Sequence, residues 1–163
     1  MCARGGRETI VLKEGAMATP QLKDLPTQHM AVLESRGDPA EAAPDLVPRL
    51  YAAARTPAPI RARWPNAHLA PKAEWIGRWA LPIADGVTEL EGALVEDWEY
   101  GQVVEIVREG PYETEPESIA KLQAFVTEQG LELVGPHEEE YLTPPDAVPQ
   151  LTLIRYRVSS RDR

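Results

Sequence analysis

Apolar and polar residues alternate over several short runs, and in two places the alternation gives way to a helical stripe. Around Gly37, HMAVLESRGDP reads as a strand entering a glycine turn, followed by a helix carrying Leu46, Val47, Leu50 and Tyr51. Around Gly110, QVVEIVREGPY does the same, followed by a helix carrying Ile119, Leu122, Phe125 and Val126. Strand, turn and helix recur at a separation of roughly 72–73 residues with one slip between turn and helix, the mark of a structural duplication.

The second helix has the clearer boundaries. Thr114 and Glu117 make a capping box, Pro116 sits in the tolerated first turn, and Gly130 ends the helix. In the first helix, Pro44 and Pro48 fit if Asp45 is the cap. Strands are expected at 27–36, 73–83, 94–108, 131–143 and 150–158, the longer ones broken in places. The segment 56–72 holds Pro57, Pro59, Pro65 and Pro71 and reads as a loop or lid, because proline cannot donate to a sheet ladder. The expected fold is α+β: a tandem β-α-β-β duplication, antiparallel, with helices on one sheet face, the other left concave, and a ligand cleft between the halves. Residues 1–16 read as a flexible tail, and 17–163 as a single domain with pseudo-repeats at about 20–95 and 96–160. Translation starting at Met17 is the alternative to Met1.

Alternation also sorts the polar residues. Glu105 lies on one strand face with Val103 and Val107, so it either pairs with an arginine across the sheet or lines a pocket with a raised pKa. In the run Glu138-Glu139-Glu140, which by itself suggests a solvated face, Glu139 shares its face with Tyr141 and Thr143. Trp75 and Trp79 share a face, as do Trp98 and Tyr100. Such tryptophans are core residues or, beside carboxylates, the wall of a site for a cation or flat aromatic. Trp64, within the proline-rich segment, is a lid candidate. His29, His68 and His137 lack the spacing of a metal site, and no metal or cofactor is expected. No glycine-rich phosphate loop follows a strand, and GxSxG is absent.

Charge and composition narrow the partners. The net charge of −9 argues against direct nucleic-acid binding, and no apolar run is long enough for a membrane helix. A single cysteine, Cys2, excludes an internal disulfide and fits the cytoplasm, as does the lack of a signal-peptide pattern at the start.

The strand–Gly-Pro-Tyr–helix unit, GPHEEEYLTPP and TLIRYRV together resemble the GyrI-like small-molecule-binding family, closely over Tyr100–Val158 and more loosely over Pro20–Pro82. That family occurs alone and as the effector domain of multidrug-responsive transcription regulators. The resemblance implies a ligand between two β-α-β-β halves, with the glutamate of the Glu-x-Tyr strand facing it. Here that is Glu139 before Tyr141, with Tyr112 as the turn tyrosine. A helix-turn-helix segment is not found ahead of the unit, so the regulators' DNA-binding role is not carried over. The expected ligand-binding residues are Glu139, Glu105, Tyr112, Tyr141, Trp79 and Trp98, around an amphipathic, aromatic or cationic compound. Two alternatives remain. One is hydrolysis of strained, cyclopropane-bearing electrophiles, with Glu105 and Glu139 as catalytic acids and a tyrosine assisting. The other is protein binding, as in family members that inhibit DNA gyrase.

Overall fold

The computed structural model describes residues 19–110, 115–144 and 146–161. The tail, Tyr112 and the capping Thr114 lie outside them. The first repeat begins at β2 (Gln28–Arg36), preceded by a short β1 (Gln21–Leu25) absent from the sequence reading. In β2, Met30 and Val32 face one side and Ala31, Leu33 and Ser35 the other, all but Leu33 buried. Gly37 then turns the chain at φ 101°, a backbone conformation that β-carbon sterics disfavour elsewhere.

Helix α1 spans Pro39–Ala54, starting six residues earlier than the expected cap at Asp45. Asp38 is the cap: its Oδ1 accepts a 2.9 Å hydrogen bond from the Ala40 N–H, and Pro39 takes the first helical position, where no donor is missed. Pro44 and Pro48 therefore lie inside the helix. The two lost backbone bonds are offset by a stripe of Leu46 and Leu50, both buried against the sheet. Asp45 instead pairs with Arg49 across one helical turn.

The proline-rich segment is not all loop. Pro57 and Pro59 precede, and Pro65 follows, a proline-free window that forms β3 (Arg61–Trp64). Its short ladder joins the halves, pairing with β4 (Ile76–Pro82) on one side and β7 (Leu131–Tyr141) on the other. The expected strand at 94–108 breaks at Glu99–Tyr100 into β5 (Leu94–Trp98) and β6 (Gly101–Glu109). Helix α2 (Glu115–Glu128) and β8 (Leu151–Ser160) complete the chain.

All strands form one antiparallel sheet in the order β1-β6-β8-β7-β3-β4-β2-β5. The units β2-α1-β3-β4 and β6-α2-β7-β8 have the same internal order and meet at the β3–β7 ladder, so the α+β tandem duplication is present. Each unit's leading strand pairs with the other unit: β1 with β6, and β5 with β2.

This exchange fixes the curvature. Only Pro26 and Thr27 join β1 to β2, a reach of about 11 Å. In a flat sheet those two strands would be six spacings apart, about 29 Å. The sheet must therefore curl until its edges approach. Its inner face is not left concave and open, as a tandem arrangement with helices on one face had suggested. It is filled by Met30, Val32, Ala80, Trp98, Tyr100 and Val103 from both halves. Both helices pack on the outer face: Leu50 with Ala62, Trp79 and Leu81, and Leu122 and Val126 with Val104, Ile106 and Ile154.

Candidate functional site

Glu105 and Glu139 lie on opposite faces. Register decides this: Glu105 and Glu138 both oppose Arg155 on β8, so these three side chains share the inner face, and Glu139 points to the outer one. The pairing predicted for the two acids in one cavity is thereby overturned. Alternation orders residues within a strand, but two separate strands can only be related through the strand between them.

On the inner face Glu105 is held by Lys23 at 2.9 Å and by Arg155 Nε at 2.6 Å, the cross-sheet arginine pairing. Arg155 also meets Glu138 and Glu140, and Arg63 Nε meets Glu138 at 2.6 Å. Tyr100 OH donates to Glu138. Glu138 is thus a buried and Glu140 a half-buried ion-pair member, rather than parts of a solvated run. Trp98 belongs here too, with the Arg63 guanidinium 3.9 Å above its ring and Nε1 donating to Glu96. Neither Glu105 nor Trp98 lines the outer-face pocket.

That pocket, about 640 Å³, opens between the start of α1, the 57–60 loop and the segment after β7. Its walls include Tyr51, Trp64, Trp75, Trp79 and Tyr141, and Glu139 also lines it. Trp64 meets Trp79 edge-on at 5.2 Å and Trp75 at 6.0 Å, and Trp79 lies nearly parallel to Tyr141 at 6.3 Å. The polar ends of three walls are tied back to protein. Trp79 Nε1 donates to Ser35 Oγ, Trp75 Nε1 to the Ala70 carbonyl, and Tyr51 OH to the Ala58 carbonyl. Gly77 makes the cluster possible: a β-carbon there would sit 2.6 Å from both Ser35 Oγ and Trp64 Cζ3. Of the expected ligand residues, the pocket brings together Glu139, Tyr141 and Trp79. Trp64 is a wall anchored on β3, not a lid.

The carboxyl of Glu139 is 2 % exposed, and Tyr141 OH donates to its Oε2 at 2.8 Å. Burial alone would raise its pKa, but His137, Glu115 and Tyr141 hold it down at about 2, so it is anionic at neutral pH. Burial likewise lowers His137, yet its contacts with Glu115 and Glu139 carry it to about 9. Glu115 moves the other way, raised by burial and by the Glu139 charge against the opposing pull of His137. His137 Nδ1 meets Tyr156 OH at 2.6 Å, and burial, with the nearby acids, raises the tyrosine's pKa. Sequence reasoning named His137 only to set it aside for lack of metal-site spacing, and it missed Glu115. His137 lies two residues before Glu139 and so shares its face by alternation, but Glu115 arrives from α2 and only the fold brings it in.

No protein-family model matches the chain, and no curated protein matches it in sequence. Solved structures do match in fold. An uncharacterized conserved protein from Listeria innocua superposes with a TM-score of 0.77 at 21 % identity, over 87 % of this chain and 93 % of that one. A protein described as a hydrolase, also from Listeria innocua, gives 0.76 at 19 % identity, over 87 % and 92 %. The C-terminal domain of EcmrR gives 0.70 at 15 % identity, over 87 % and 98 %. This chain shares their fold. The α+β architecture is the one the GyrI-like resemblance implied. Among the described residues no helix is long and apolar enough to cross a membrane.

Proposed function

We propose that this chain is a GyrI-like small-molecule-binding protein whose ligand is a flat aromatic compound carrying positive charge. The observation behind this is one anionic, desolvated carboxylate, Glu139, in a pocket walled by tryptophan and tyrosine. Ring faces supply stacking area, and the carboxylate supplies charge neutralisation where water is excluded. Sensing or sequestration in the cytoplasm, without direct contact to DNA, is the role this reading assigns. Titration with a lipophilic aromatic cation such as crystal violet, followed by tryptophan fluorescence, tests it. Glu139→Gln should weaken binding by about 1–3 kcal/mol, the range for hydrogen bonds to charged groups. Equal affinity of parent and variant would refute the assignment of Glu139.

A second reading rests on the 2.8 Å hydrogen bond from Tyr141 to Glu139 and on the fold shared with a protein described as a hydrolase. A buried carboxylate can take a proton from water as it attacks a ring carbon, while a tyrosine protonates the conjugated carbonyl oxygen that receives the electron pair of the broken C–C bond. Glu105 has no part in it, being on the inner face. Incubation with a cyclopropane-bearing alkylating compound and mass spectrometry of the products separates the readings. An enzyme yields a ring-opened product that Glu139→Gln forms roughly 10²-fold more slowly, and a binder yields none.

A further inference from the structure

At the first residue of α2, Glu115 reaches across to β7. Its Oε1 lies 3.0 Å from His137 Nε2, and Glu139 Oε1 lies 3.4 Å from the same nitrogen. The side chains of Glu115 and Glu139 are 8 % and 2 % exposed, yet neither Oε1 takes part in an aligned hydrogen bond. A single Nε2–H on His137 is what faces both oxygens, which leaves each short of the donors that a buried carboxylate oxygen needs.

We propose that Glu115, His137 and Glu139 form a binding site for a single divalent first-row transition ion. The spacings carry the proposal. Zinc-like ions hold oxygen and nitrogen donors at about 2.0–2.2 Å, so donors about 90–110° apart lie roughly 3.0–3.4 Å from each other. The two contacts at His137 Nε2 match that edge length, and all three donor atoms lie within 4.8 Å of one another. The surrounding contacts also fit. With Nδ1–H donating to Tyr156 OH, an ion that displaces the Nε2 proton meets a lone pair directed at it, and Tyr141 occupies Glu139 Oε2 while leaving Oε1. Glu139 lines the pocket, which supplies an entry path and open coordination positions. One imidazole and two carboxylates suit Zn²⁺, Fe²⁺ or Mn²⁺ rather than thiophilic Cu⁺, and an ion of charge two balances the two acids. The ion and a cationic ligand would both draw on the charge of Glu139, so metal binding is measured with no organic ligand present.

The test uses the full chain, stripped with a chelator and dialysed against Zn²⁺. Elemental analysis should find one zinc per chain, and Glu115→Gln and His137→Gln should each weaken binding at least about tenfold. Cys2→Ser should leave it unchanged. Circular dichroism of the metal-free variants checks that they fold. Should they not, Co²⁺ added to the parent protein gives a second readout, through visible ligand-field bands expected of nitrogen–oxygen ligation. The proposal is overturned if the parent protein takes up no stoichiometric zinc, if folded variants bind as tightly as the parent, if Cys2→Ser abolishes uptake, or if Co²⁺ keeps the spectrum of the hydrated ion.

Discussion

Arg155 shows how much a single inner-face residue carries. It touches Glu105, Glu138 and Glu140 while itself nearly buried. Replacing it with methionine keeps most of the volume but strands buried carboxylates. Arg155→Met should therefore cost about 3–5 kcal/mol, the range for breaking a buried pair, read as a lower urea midpoint. Gly77 is the counterpart on the outer face. Gly77→Ala places a methyl 2.6 Å from Trp64 and Ser35. Overpacking of about 1–3 kcal/mol is expected, with weaker binding of an aromatic cation because two pocket walls must move. Unchanged stability and affinity together would show that the tryptophan cluster tolerates displacement.

At the scale of elements, α2 shows what periodicity can predict. Its stripe was legible, and Leu122 and Val126 are buried as expected, while Ile119 and Phe125 are half-buried at the margin. Leu122→Ala, at a fully buried position, should lower stability by about 2–5 kcal/mol in denaturant titration. Phe125→Ala should cost less, since part of that ring already meets water. β3 was not legible, because four residues between prolines become a strand only when β4 and β7 flank them. The same holds for the acids. Glu139 with Tyr141 could be read from alternation, but the separation of Glu105 from Glu139 depends on a register that no single strand contains.

For the whole molecule, the exchanged strands make each half depend on the other. β1 finds its partner only in the second half, and β5 only in the first. Fragments 20–95 and 96–160 should each be unfolded when made alone, and the intact chain should melt in one transition seen alike by circular dichroism and tryptophan fluorescence. Two separated transitions, or a folded fragment, would contradict this.

The ladder between the halves has one further consequence. Ala62 opposes Glu139 there, and their outer neighbours Trp79 and Ile154 occupy equivalent strands of the two units. A pseudo-twofold axis passes between Ala62 and Glu139. In a symmetric homodimer of one such unit, both central positions would hold the same residue. Two glutamates would then face each other at about 5 Å and repel, and two alanines would leave no charge at all. Joining the copies in one chain removes that constraint. One side of the axis keeps the acid, while the other supplies the small residue that leaves room above it. A single charge on the symmetry axis is something a duplicated gene can encode and a symmetric dimer cannot.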